Sequence, residues 1–162
     1  MKATIFVVCL LVLIVLGTIR IFSSLSYNRD IGGHLKRAAD ANTIELAKQE
    51  LSFAIKNIEA RGLTSGYTSI FYQTPDEDLG FWYQNLKASL EELNQIDPKA
   101  SQLEKTNVLM KLRETLLDEG ESVGVTSPQG ISIYPHNTIF CVLFLITGII
   151  VGIFVFVVLI LD

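Results

Sequence analysis

Residues 139–161 read IFCVLFLITGIIVGIFVFVVLIL, and this run without a charge or an amide decides the fold. As a helix rising 1.5 Å per residue it extends about 34 Å, enough to cross a hydrocarbon core of roughly 30 Å. Its β-branched residues lower helix propensity in water. In lipid, however, the backbone must satisfy its own hydrogen bonds, which a lone strand cannot do. A second run, ATIFVVCLLVLIVLGTI over residues 3–19, lies at the other end. Behind Met1 and Lys2 it has the positive head and apolar body of a signal sequence. It is long for a cleaved one, and no small-x-small site follows, so an uncleaved signal-anchor is expected. Arg20 can snorkel to the headgroups and let the helix continue through Phe22.

Working outward from these runs, the sequence predicts an all-α membrane protein, with transmembrane helices over 1–22 and 138–162 flanking a small helical-bundle domain over 23–137. Of 13 Lys and Arg and 17 Asp and Glu, all but Lys2, Arg20 and Asp162 lie in this middle segment, which is acidic by five charges. That balance argues against a nucleic-acid surface or a polybasic lipid patch. The two cysteines, Cys9 and Cys141, fall one in each apolar run. In antiparallel helices they lie toward opposite leaflets, too far apart for a disulfide.

Two arguments on orientation conflict. Arg20, Arg29, Lys36 and Arg37 follow the first run and, by the positive-inside rule, would hold the domain in the cytosol. The loop is longer than charge counting covers, and the short Met-Lys head suits two cytosolic tails. The expectation is an extracytosolic domain in a cell or inner membrane.

Within the domain, Tyr27 to Gly33 is polar and glycine-containing and is expected to hinge against the membrane. From about 34 to 61 the apolar residues Ile44, Ala47, Leu51, Ala54 and Ile58 recur at 3, 4, 3 and 4, widened by Leu46, Phe53 and Ile55, and Gly62 follows as a C-terminal stop. Tyr67 to Tyr72 reads as a short extended segment. A helix near 75–96 is expected from Thr74 as N-cap, Pro75 in the first turn and Glu77 three residues after the cap. A third, near 98–119, is expected from Asp97-Pro98, ending at Gly120. The short break between these two predicts a helical hairpin. Val123 and Val125, a Ser127-Pro128-Gln129-Gly130 turn, then Ile131 and Ile133 predict a β-hairpin near 122–134.

No motif announces catalysis. The carboxylates Asp76, Glu77 and Asp78 are explained by a helix N-terminus more simply than by a cation. His34 and His136 have no zinc-ligand spacing around them. No phosphate loop or nucleophile elbow is present, and neither catalytic residues nor a cofactor are assigned. The local excess is aromatic: Tyr67, Phe71, Tyr72, Phe81, Trp82 and Tyr83 are expected first to fill the space between the first two helices, and as the alternative role they form a candidate partner contact. Gly148 and Gly152, four apart beside Thr147, form a candidate helix-packing face.

The expected function is that of a non-enzymatic structural or regulatory subunit of a membrane complex, in contact with lipid, with itself as a homo-oligomer or with another membrane protein. The alternatives are a homo-oligomeric two-span channel, and a membrane-anchored ligand-binding or sensing module acting through a partner. A channel would have to be ringed by apolar side chains and small polar ones such as Thr4, Thr18 and Thr147.

Overall fold

The computed structural model describes residues 2–71, 73–118 and 124–161; Tyr72, Gly120 and Val123 lie outside them. The chain is mostly helical, with one antiparallel pair of two-residue strands among the described residues. Two helices, α1 (Lys2–Tyr27) and α6 (Asn137–Leu161), are long and apolar enough to cross a membrane. They pack against each other. The contact buries Cys9, Leu16 and Thr147, and stacks Phe6 on Phe154 with ring centroids 4.4 Å apart. Both cysteines are free thiols.

The expected hinge between Tyr27 and Gly33 is absent. Instead α1 passes through a π-helical turn, Asn28–Gly32, straight into α2 (Gly33–Ala39). A π turn takes up an extra residue and rotates the phase of the helix beyond it, so polar residues here do not need to break the chain. Gly33 is the residue this geometry requires, since a Cβ there would sit 2.9 Å from the Asn28 carbonyl oxygen. Glycine at such a junction marks a close backbone approach, and the sequence alone does not distinguish that from flexibility.

The expected helix over 34–61 is two helices. Asp40, Asn42 and Thr43 interrupt it, and α3 (Ile44–Ala60) starts on Thr43, whose hydroxyl accepts from the Leu46 amide at 3.3 Å. Short polar side chains offer backbone groups an alternative partner, which outweighs the helical periodicity on either side. The stripe of Ile44, Ala47, Leu51, Ala54 and Ile58 is buried, joined by Ile55, whereas Leu46 and Phe53 are exposed. At the far end Gly62, at φ +67°, closes α3. The Leu63 amide bonds to the Ile58 carbonyl and the Gly62 amide to that of Glu59, both at 3.0 Å, the pattern of a left-handed C-terminal cap.

The helix expected from Thr74 begins at Asp78. Pro75–Glu77 forms a 3-10 turn, and α4 (Leu79–Gln95) is capped by Asp78, whose Oδ1 accepts from the Gly80 and Phe81 amides at 2.8 and 3.1 Å. A carboxylate answers the exposed amides and the helix dipole together, and Thr74 instead donates to Glu77 at 2.8 Å. Leu79, Trp82, Leu86 and Leu93 are buried along α4. Asp97 and Pro98 form a turn; α5 (Gln102–Leu116) starts on Ser101, which accepts from the Glu104 amide. The helices α4 and α5 fold back as a hairpin, tied by Lys111 to Glu92 at 2.8 Å.

The β-hairpin is displaced from its expected place. β1 (Leu117–Asp118) pairs with β2 (Gly124–Val125), and Ile131–Ile133 is a 3-10 turn. The Leu116 carbonyl takes the Thr126 amide at 2.9 Å, and the Thr126 carbonyl takes the Trp82 indole N–H at 2.8 Å, which sets the register from outside the strands. The extended segment expected at Tyr67 makes one antiparallel bridge, to Asp78. One core joins the end of α1, the π turn, α2, α3, α4 and α5.

Candidate functional site

The distinctive feature of this fold is the collar where the apolar pair meets the bundle. On the α1 side, Tyr27, Ile31 and Leu35 are core residues, so the apolar helix and the bundle share one set of packed side chains. Asp30, in the π turn, is held by Arg29 through Nε at 2.6 Å and Nη2 at 3.0 Å. Arg61, at the end of α3, bonds the same carboxylate and the Ser26 hydroxyl, so α3 is clamped to the helix 31 residues upstream. A second tie joins α2 to α3. Glu50 is buried with Arg37 on one oxygen and His34 Nδ1 on the other, each at 2.6 Å. A buried carboxylate left without such partners would be costly, so this pair fixes how α2 lies on α3.

Hydrogen bonds from Arg29, assisted by Arg61, hold the Asp30 carboxyl down at about 2 from an ordinary value of 3.8. A depressed carboxyl contributes stability that is fully present above the unfolded value and is lost as pH falls through the folded one. The melting temperature of the full chain is therefore expected to drop between about pH 4 and pH 2 partly through Asp30. Asp30→Asn is expected to be less stable at neutral pH, with a shallower acid limb. An acid limb of unchanged slope in the variant would refute this role.

On the α6 side, residues 64–70 form a strap. Asn137, the first residue of α6, donates through Nδ2 to the carbonyls of Thr68 at 2.9 Å and Gly130 at 3.1 Å, and the Tyr134 hydroxyl donates to the Ser65 carbonyl at 3.0 Å. A groove of about 520 Å³ opens beside the strap. Arg20, Thr68, Glu77 and Asn137 bring polar groups to it, and Phe140 and Phe144 line it along α6. Among the described residues, Thr68 Oγ1 and Asn137 Oδ1 are buried here without a hydrogen-bond partner. A second cleft, about 610 Å³, lies between α4 and β2, with Asp76, Glu77, Asp78 and Asp118 around Phe81 and Trp82. Asp78 is committed to its cap, and among the described residues no group of three or more His, Cys, Asp or Glu is placed to share a metal ion.

The six aromatics expected to act together divide. Trp82 is buried under the hairpin, and Tyr83 donates to Glu59 at 2.6 Å, a bond that holds its proton and raises its pKa. Tyr67, Phe71 and Phe81 face outward, Phe71 and Phe81 at 74% and 64% exposed, while Tyr72 is outside the described residues. His34 belongs to the Glu50 pair, and His136 precedes α6. A Cβ added at Gly148 or Gly152 would meet nothing within 4 Å. The α1–α6 contact therefore leaves that face open. The Thr18 and Thr147 hydroxyls bond carbonyls one turn back, at 2.8 and 2.6 Å, which satisfies them within their own helices.

Asp30, Arg61, Thr68 and Asn137 do not stand out by pattern. Their signal in the sequence is weak: Asn137 is the last amide before the long apolar run, and Asp30 lies between two basic side chains only in three dimensions. Among known proteins, no family model, no curated protein and no solved structure matches this chain.

Proposed function

We propose that this chain is an integral protein of a cell or inner membrane, held by α1 as an uncleaved signal-anchor and by α6, whose helical domain is a structural or regulatory subunit of a membrane complex and not an enzyme. The observation that carries this reading is the unbroken passage of α1 through the π turn into the bundle core. With Tyr27, Ile31 and Leu35 packed inside the bundle, a contact made by the domain bears directly on the helix in the lipid. The same continuity supports an anchor: no extended segment separates the apolar helix from the core for a peptidase to cut. Phe71 and Phe81 are the aromatic anchors such a partner would cover.

The domain is placed outside the cytosol, with both tails inside. A cysteine introduced at exposed Asn94 is then expected to react with an impermeant thiol reagent in intact cells. Protection until the membrane is broken would reverse the orientation.

Self-association is assigned to the Gly148 and Gly152 face. Lipid tails are as apolar as the side chains, so close backbone approach and dispersion contacts must hold one helix to another. Native mass spectrometry in mild detergent is expected to show more than one copy, or a stoichiometric partner, for the wild type. The Gly148→Ile/Gly152→Ile variant is expected to lose copies, and a Val142→Ile/Val158→Ile control to keep them. Because a Cβ at either position meets nothing within 4 Å in its own chain, loss of copies with an unchanged melting temperature would report on contacts between chains. A monomeric wild type without a partner, or equal counts in all three, overturns the assignment. Conductance in liposomes would replace the subunit reading with the channel.

A further inference from the structure

We propose that the strap makes a third membrane contact: Ile70 and Phe71 dip their side chains into the interfacial layer of the bilayer beside α6, at the level where its apolar run begins. This rests on the membrane reading above, takes Phe71 from the protein contact assigned there and leaves Phe81 to it. The starting point is where the chain carries these two side chains. It leaves the strap at Thr68 and returns at Glu77, and the loop is closed at its base by the Thr68 amide on the Glu77 carbonyl at 3.1 Å and by the bridge between Tyr67 and Asp78. Asn137 holds the Thr68 carbonyl, so the base of the loop is fixed on the head of α6. Beyond it, Ile70 and Phe71 line the same groove as Phe140, Phe144 and Leu145. Phe144 lies about 10 Å along α6 from Asn137.

The apolar runs set the height of the lipid. Ile139 opens the run of α6, and Phe22 closes that of α1, with Arg20 reaching the headgroups just before it. Ile139 and Phe22 are 58% and 67% exposed, so neither is covered by its own chain. Phe140 and Phe144 thus belong to the first two turns inside the boundary, and Arg20 lines the groove with them. A side chain that shares this groove meets lipid without any further docking step. Phe71 is 74% exposed and Ile70 37%. Apolar side chains held out at this height by a tied backbone are what an interfacial anchor requires.

Two physical limits define the contact. The loop backbone cannot enter the hydrocarbon, because amides and carbonyls outside a helix would lose water there without gaining partners. Only the side chains reach the acyl chains, and the backbone stays among the headgroups. The domain is acidic by five charges, so attraction of a basic surface to anionic lipid does not supply the contact; apolar insertion does. Together with α1 and α6, it gives the domain a third point of support and limits its tilt on the membrane.

The test is bromine quenching of tryptophan emission in the full-length protein, reconstituted into phosphatidylcholine vesicles brominated either near the glycerol end of the acyl chain or near its methyl end. The chain's single tryptophan, Trp82, is buried in the domain and gives a constant background. Phe71→Trp exchanges one exposed aromatic for another and so preserves the fold. Its added emission is expected to be quenched about twofold more strongly by shallow bromine than by deep bromine. Leu103→Trp is similarly exposed but lies at the far end of the α4–α5 hairpin, one α4 length or about 25 Å from the strap, and is expected to stay unquenched. Ile149→Trp, exposed at the middle of α6, is expected to be quenched most by deep bromine. Emission from Phe71→Trp that is quenched no more than that of Leu103→Trp, or most by deep bromine, would overturn the contact. So would loss of a stoichiometric protein partner in Phe71→Ser, which would return this side chain to a protein surface. Ile149→Trp left unquenched refutes the membrane reading along with the loop contact, whereas Ile149→Trp quenched beside an unquenched Phe71→Trp refutes the loop contact alone.

Discussion

Leu51→Asp is expected to unfold the helical domain. Leu51 is fully buried at the centre of the α3 stripe, with Ala47, Ala54 and Ile58 on the same face. Truncating such a leucine costs about 2–5 kcal/mol through lost transfer energy and the cavity left behind. A carboxylate there adds an unpaired charge, whereas the buried acid next to it, Glu50, needs both Arg37 and His34 to be accommodated. The sum reaches the roughly 5–15 kcal/mol that holds a whole domain together. Phe53→Asp is the matched control: it lies two residues along the same helix but is 47% exposed, and its cost is expected to stay at about 1 kcal/mol. Circular dichroism of the full chain in detergent, followed through a thermal melt, separates the two. Retention of the wild-type melting temperature by Leu51→Asp would remove α3 from the centre of the fold.

Gly66→Ala is expected to destabilise the protein by roughly 3 kcal/mol, from strain and a lost hydrogen bond together. Gly66 has φ +98°, where an L side chain is strained, and a Cβ there would run into the Tyr134 hydroxyl oxygen. That hydroxyl donates to Ser65, so it cannot retreat without leaving the strap. Tyr134→Phe removes the clashing oxygen and the hydrogen bond at once. In that background the Gly66→Ala cost is expected to shrink to about 1–2 kcal/mol, the conformational part alone. Gly148→Ala, into open space on a regular helix, is expected to change stability very little. Additive costs of Gly66→Ala and Tyr134→Phe would show that the two residues do not meet.

The range of each interaction decides how far it is legible in the sequence. The buried positions of α3 and α4 follow the 3.6-residue period, because a helix face is a local property and Ile44, Leu51, Ile58, Trp82 and Leu86 carry it in their spacing. Helix ends are less legible. Thr74, Asp78, Asp97 and Ser101 are all able to cap, and the competition is decided by geometry at Gly80 and Glu104. The hairpin is displaced because two-residue strands have no register of their own. Trp82, 44 residues upstream of Thr126, supplies it. In the candidate groove, Arg20, Thr68, Glu77 and Asn137 come from four separate stretches, and none stands out by composition.

The sequence by itself determined that two apolar helices enclose a helical segment, since length, absence of charge and period are read residue by residue and need no partner. Only the tertiary structure decided that Asn28–Gly32 widens into a π turn and does not bend. The reason is that Ile31 and Leu35 must face the bundle while α1 faces α6, and Arg61 from α3 must reach Asp30. Likewise, the unpaired oxygens of Thr68 and Asn137 exist as a pair only because the strap and the head of α6 lie side by side. A hydrogen bond or a lone acceptor between residues 69 positions apart has no trace in local spacing.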